Sequence, residues 1–137
     1  MQMPAKVREM FENEKYFWLA TATPDGVPNA CTIGAKYIQD DETIVIVDNF
    51  LLKTLENIRA NPKVALVALS GKVSYQIKGR ARYLTDGPEY ERARQWMKSK
   101  GDKYPAKGAV YVTVEEIYHS TAGPKAGKPL ETSEAAG

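Results

Sequence analysis

The chain predicts a mainly β fold: six antiparallel strands closed into a small barrel, with short helices at its flanks. Three observations predict it. Residues 73–84 alternate, with Val73, Tyr75, Ile77, Gly79, Ala81 and Tyr83 set against Ser74, Gln76, Lys78, Arg80 and Arg82. That is the two-residue period of a strand with one apolar or small face. Residues 43–48, Thr-Ile-Val-Ile-Val-Asp, are almost continuously apolar, as a strand covered on both faces requires. Clusters of Gly, Pro, Asp and Asn separate the strand-like stretches, as turns do. A flat sheet of six strands leaves two exposed edges. Closure removes them, and Gly34, Gly71 and Gly79 permit the necessary bends. A two-sheet sandwich satisfies the same alternation and is the structural competitor.

The elements follow in order. A first helix is expected over residues 4–13, where Pro4 suits a first turn and Val7, Met10 and Phe11 share a face. Residues 16–23, rich in aromatic and β-favouring side chains, form a strand that Pro24, Asp25 and Gly26 turn. A second strand covers 29–38, and Asp40, Asp41 and Glu42 turn it into the apolar 43–48 strand. Over 49–61 the period becomes helical, through Leu51 or Leu52, Leu55 and Ile58, and Asn61-Pro62 ends it. Strands return at 63–69 and 73–84. Asp86 is placed to cap a third helix and Glu89 to complete a capping box, ahead of the stripe Tyr90, Ala93, Trp96 and Met97. A last strand spans 109–118, with Val110, Val112 and Val114 on one side. Residues 1–120 make a single domain. Residues 121–137 bury little and read as a tail, partly disordered or reaching a partner subunit.

Composition narrows the function. The 137 residues suit one domain, and a net charge of +2 provides no field for nucleic acid or a membrane surface. No apolar run spans a membrane, and the charged, amphipathic start is unlike a secretion signal, so the expected location is cytoplasmic. The single cysteine, Cys31, excludes an internal disulfide and a cysteine-based cluster. The single histidine, His119, excludes a multi-histidine zinc site. No side chain stands out as a catalytic acid or base.

The most informative segment starts at Val47-Asp48-Asn49 and runs into a helix whose first turn carries Lys53 and Thr54. Free backbone N–H groups and the positive end of the helix dipole favour an anion there. A lysine charge and a threonine hydroxyl complete the donors a phosphomonoester needs. The alternative is a solvated lysine and an ordinary early-turn threonine, although a lysine at a helix start opposes the dipole.

Four stretches carry a resemblance. They are Leu19-Ala-Thr-Ala-Thr-Pro-Asp-Gly-Val-Pro28, then Lys53-Thr54 with Asn57-Ile58 and Asn61-Pro62-Lys63-Val64, then Ile77-Lys-Gly-Arg-Ala81, and Thr85-Asp-Gly-Pro88. In that order and spacing the chain resembles the pyridoxamine 5'-phosphate oxidase-like, FMN-binding split-barrel superfamily. Its short FMN-binding and flavoredoxin-like members are the nearest in kind. The resemblance runs from about Met3 to Tyr118. It implies a six-stranded Greek-key split barrel and a homodimer with one FMN per subunit near the interface. It also implies that Lys53, Thr54 and Thr32 hold the phosphate, that Val47, Asp48 and Asn49 lie along the isoalloxazine ring through backbone groups, and that Ala30 and Cys31 flank the same groove. The arginine-rich motifs and longer C-terminus of the full oxidases are missing, which argues against vitamin B6 oxidation.

A redox or electron-transfer protein follows, with an oxidoreductase activity left open and the redox partner unnamed. The alternatives are a non-catalytic flavin-binding or sensing module, and a relative that places deazaflavin or haem on the same barrel. Trp96 and Tyr104 are aromatic enough to cover a flavin ring from the partner subunit; Trp96 also completes the stripe of its own helix. Arg80 and Arg82 read as solvated, with an anionic substrate as the alternative. His119 reads as a surface residue, and Cys31 as a small strand residue rather than a redox centre.

Overall fold

A computed structural model describes residues 1–131. The elements are α1 (Ala5–Asn13), β1 (Phe17–Ala22), β2 (Pro28–Ile33), β3 (Lys36–Asp40), β4 (Thr43–Asp48), α2 (Lys53–Ala60), β5 (Lys63–Ser70), β6 (Val73–Leu84), α3 (Gly87–Lys98) and β7 (Gly108–His119). All seven strands join one sheet in the order β2-β1-β5-β6-β7-β4-β3, and every neighbouring pair is antiparallel. The two edge strands, β2 and β3, are consecutive in the chain, with Gly34 and Ala35 between them. The sheet therefore has to curl until its edges approach, which makes a split barrel.

The strand expected over 29–38 is consequently two strands, and the count is seven rather than six. β2 pairs with β1 and β3 with β4, at opposite edges of the sheet. One straight strand cannot serve both edges, so the backbone breaks at Gly34-Ala35. The break is tied down by Val47, whose N–H donates to Ala35 O at 2.9 Å.

β4 is buried on both faces, as its sequence requires. Ile44 and Ile46 enter the barrel with Phe17, Leu19, Leu66, Ile77, Val110 and Val112. Val45 and Val47 face outward into a second cluster with Ala93 and Met97 of α3 and Tyr111 of β7. α1 closes one side of the barrel with Val7 and Phe11, both fully buried. Lys36 anchors that helix: its ammonium donates to Phe11 O at 2.7 Å, Glu12 O at 3.2 Å and Glu14 O at 2.5 Å. Those carbonyls belong to the end of a helix, where a cation is favoured. Burial pushes the Lys36 pKa down, against the opposing pull of Glu14 and Glu12.

Two local expectations change. Asp86 occupies the cap position of α3, yet its side chain makes no cap hydrogen bond. Glu89 does not complete a capping box, because its carboxylate is drawn to Arg82 of β6 at 3.1 Å. Val73, at the apolar position that begins β6, is 45% exposed because it sits beside the hairpin turn, paired with Ser70. Further along β6 the register shifts between Lys78 and Gly79. A Cβ at Gly79 would lie 2.4 Å from Thr113 O, so the close approach there admits only glycine.

After β7 the chain turns back. Leu130 is buried, and its N–H donates to Ile117 O at 2.9 Å. Thr121 and Ser74 exchange hydrogen bonds at 3.0 and 3.1 Å. The remainder of the tail, residues 132–137, lies outside the described residues. Among the described residues no helix is long and apolar enough to cross a membrane, and no group of three or more His, Cys, Asp or Glu is placed to hold a metal.

Candidate functional site

Where β2 gives way to β3 the sheet stops being continuous, and a groove of about 650 Å³ opens beside the break. Its walls come from the end of α1, from the break itself, from Val47, Asn49, Phe50 and Leu51 at the end of β4, and from Trp96, Met97, Lys100 and Tyr104. The volume falls within the range of roughly 300–1,000 Å³ usual for small-molecule sites.

Of the residues singled out from the sequence, Cys31, Thr32, Val47 and Asn49 line this groove. Ala30, Asp48, Lys53 and Thr54 stand beside it rather than in its wall. Ala30 and Thr32 are exposed and pair with Ala20 and Trp18 on the outer face of β1. Cys31 is half-buried and faces the other way, where the Thr54 hydroxyl donates to its Sγ at 3.3 Å. That bond joins the groove wall to the start of α2. Lys53, exposed in the first turn of that helix, makes no hydrogen bond or ion pair among the described residues. Leu52 precedes it without a side-chain cap, so the first N–H groups of α2 remain open to an anion.

Two polar networks position this end of the molecule, and sequence reasoning missed the partners in both. In the first, Asn29 Nδ2 donates to Thr54 Oγ1 at 3.0 Å and to Thr21 Oγ1 at 3.2 Å, and Asn57 Nδ2 donates to Thr21 Oγ1 at 3.0 Å. β1, β2 and α2 are thereby locked together beneath Lys53. In the second, Asp48 has no exposed surface, and its carboxylate accepts from Leu51 N–H at 2.9 Å and from Tyr83 OH at 2.5 Å. Asp48 thus shapes its own loop with its side chain. A lone aspartate closing an apolar strand was the available signal; the asparagines gave none.

Asn49, also buried, ties the groove to its far wall. Its Nδ2 donates to Met97 Sδ at 3.3 Å, and its Oδ1 accepts from Ala106 N–H at 3.0 Å. Ala106 takes a φ of 46°, unusual for a residue with a side chain, and its carbonyl is held by Tyr90 OH at 2.7 Å. Trp96 packs against Tyr37 with ring centres 5.0 Å apart and planes tilted by 44°, so its place in the α3 stripe and its place in the groove coexist. Tyr104 lines the same groove within this chain. Arg80 and Arg82 meet Glu115 and Glu89 at the surface. His119 packs near the Tyr75 ring, away from the groove.

The comparisons bear on this geometry directly. The profile of the pyridoxamine 5'-phosphate oxidase family matches residues 3–121. The Methanocaldococcus jannaschii protein MJ0282 is 39% identical over 137 residues, covering 98% of this chain and 91% of its own. HupZ of Group A Streptococcus has the same fold at a TM-score of 0.78 and 25% identity, over 91% of this chain and 100% of that one. An FMN-binding protein of Syntrophomonas wolfei follows at 0.74 and 19%, over 87% of this chain and 86% of that one. The family match spans the curled sheet, the groove at its break and the loop that carries Lys53, and the chain belongs to the pyridoxamine 5'-phosphate oxidase-like split-barrel superfamily, whose members typically bind FMN.

Proposed function

We propose that this chain is an FMN-binding redox or electron-transfer protein that works as a homodimer. The observation that carries the reading is the groove at the β2–β3 break. It ends one hydrogen bond, Thr54 to Cys31, from an uncapped helix start bearing a lysine that is unpaired among the described residues. The residues present fit the cofactor. Lys53 and the first N–H groups of α2 would hold its phosphate; to join them, Thr54 would have to release Cys31, and Thr32 would have to be reached from the outer face of β2. Val47, Asp48 and Asn49 would offer backbone groups to the ring, and Ala30 and Cys31 would bound the opposite side. When bound, FMN supplies the one- and two-electron chemistry, while the protein sets its position and access.

The second copy is supported by the outer face of β2, β1 and β5. Trp18, Ala20, Ala30, Thr32, Ala65 and Val67 pair across these strands, and all but Thr32 are apolar. Trp18 is 43% exposed. Nearby, Phe50 and Leu52 are 78% and 71% exposed on the loop that lines the groove. A partner on this side covers the apolar surface and closes the groove with the same contact.

The absorption spectrum of purified, FMN-loaded protein tests the cofactor; flavin bands retained through gel filtration are expected, and a Soret band or a colourless protein overturns the reading. Lys53→Ala should weaken FMN binding by about 1.5–3 kcal/mol, the worth of a charge-assisted hydrogen bond. An unchanged affinity removes Lys53 from the phosphate site.

A further inference from the structure

We infer that Tyr83 is a positioning residue for the cofactor phosphate: acting through Asp48, it sets the loop that delivers Lys53 and Thr54 to the anion. The inference rests on the FMN reading above and adds a residue that lies outside the groove.

Asp48 is the last residue of β4, and its carboxylate is wholly buried. A buried carboxylate needs donors. One is Leu51 N–H, three residues on, which closes the loop onto its own strand. Lys107 Nζ stands 3.9 Å away as a counter-charge. The other close donor is the Tyr83 hydroxyl, from a strand that does not pair with β4. β7 lies between the two, with Asp48 opposite Gly108 and Tyr83 opposite Val110. Tyr83 reaches across β7 because residue 108 has no side chain: a Cβ there would lie 2.2 Å from the phenol oxygen. Burial, then the hydrogen bond to Asp48, raises the Tyr83 pKa, so the phenol keeps the proton it donates.

The same ring meets the other end of α2. The Arg59 guanidinium in its last turn lies 5.2 Å from the centre of the Tyr83 ring. Tyr83 therefore braces α2 at both ends, at its start through Asp48 and Leu51 and at its finish through Arg59. The helix start has no side-chain cap of its own to do this. Removal of the hydroxyl loosens the loop at Leu51 and blurs the position of Lys53, while the other walls of the groove, at the end of α1, the β2–β3 break and α3, stay in place.

The test compares FMN with riboflavin, which carries the same ring and no phosphate. Tyr83→Phe should bind FMN about five- to tenfold more weakly and riboflavin within about twofold of the unmodified protein. Gly108→Ala, which pushes Tyr83 off Asp48 with both side chains intact, should lower the FMN-to-riboflavin preference in the same way. If that variant does not fold, as circular dichroism will tell, Tyr83→Phe decides alone. Equal losses for both flavins assign Tyr83 a general structural role and overturn the inference, as does an unaltered FMN affinity. An unmodified protein that prefers FMN, paired with an unaltered Tyr83→Phe, overturns only the positioning role. An unmodified protein that binds both flavins equally overturns the phosphate assignment itself, and this inference with it.

Discussion

The two outer sides of the barrel carry similar residues and meet different fates. On β3, β4 and β7 the outward positions are Tyr37, Val45, Val47, Ala109 and Tyr111, and α3 covers them with Ala93 and Met97. On β2, β1 and β5 they are Ala30, Thr32, Trp18, Ala20, Ala65 and Val67, which stay exposed or half-buried among the described residues because α1 and α2 meet these strands on their other face. Composition does not separate the two sides. What separates them is connectivity, since α3 leaves β6 and returns to β7 and so lies over β7 and β4. An apolar sheet face needs a cover. One side finds it within the chain, and the other, in the reading proposed above, finds it in a second copy.

Three substitutions sharpen or break that comparison. The largest effect is expected on the covered side. Val45→Asp places an unpaired charge at a fully buried position and should destabilise the fold by more than about 4 kcal/mol. A thermal melt matching the unmodified protein would remove Val45 from the core. Trp18→Asp makes the equivalent change on the bare side. Its expected result is a folded protein that sediments as a 15.2 kDa monomer, with unfolding stability altered by no more than about 1 kcal/mol. A persistent dimer places the interface elsewhere. The smallest effect returns beneath α3, where the Tyr37 hydroxyl is buried beside Tyr111 without a partner in hydrogen-bond geometry among the described residues. Tyr37→Phe keeps the contact with Trp96 and should raise stability by about 1 kcal/mol in urea unfolding. A loss of stability would reveal a partner for that hydroxyl.

Much of the fold was legible in the sequence because strand alternation is local. The inward Tyr75, Ile77 and Ala81 of β6 follow directly from a period of two, and the doubly buried β4 from its unbroken apolar run. The β2–β3 break was not legible. Gly34 marked a bend within residues 29–38, but the bend ends one strand and starts another only because the two halves pair at opposite edges of a curled sheet. The candidate site divides in the same way. Lys53 and Thr54 were readable from a strand-to-helix transition and a family pattern. Asn57 stood in the same pattern without a role, and Asn29 and Tyr83 were not readable, since each acts through partners far away in the chain.

By itself, then, the sequence determined which stretches are strands, which faces are apolar, and that a cationic helix start follows β4, all set by spacing over a few residues. The tertiary structure alone decided that Tyr83 crosses β7 to hold Asp48, that Lys36 is buried against the end of α1, and that one apolar outer face is roofed while its counterpart is not. Those outcomes depend on which distant strands become neighbours and how sharply the sheet curls, and no local period encodes either.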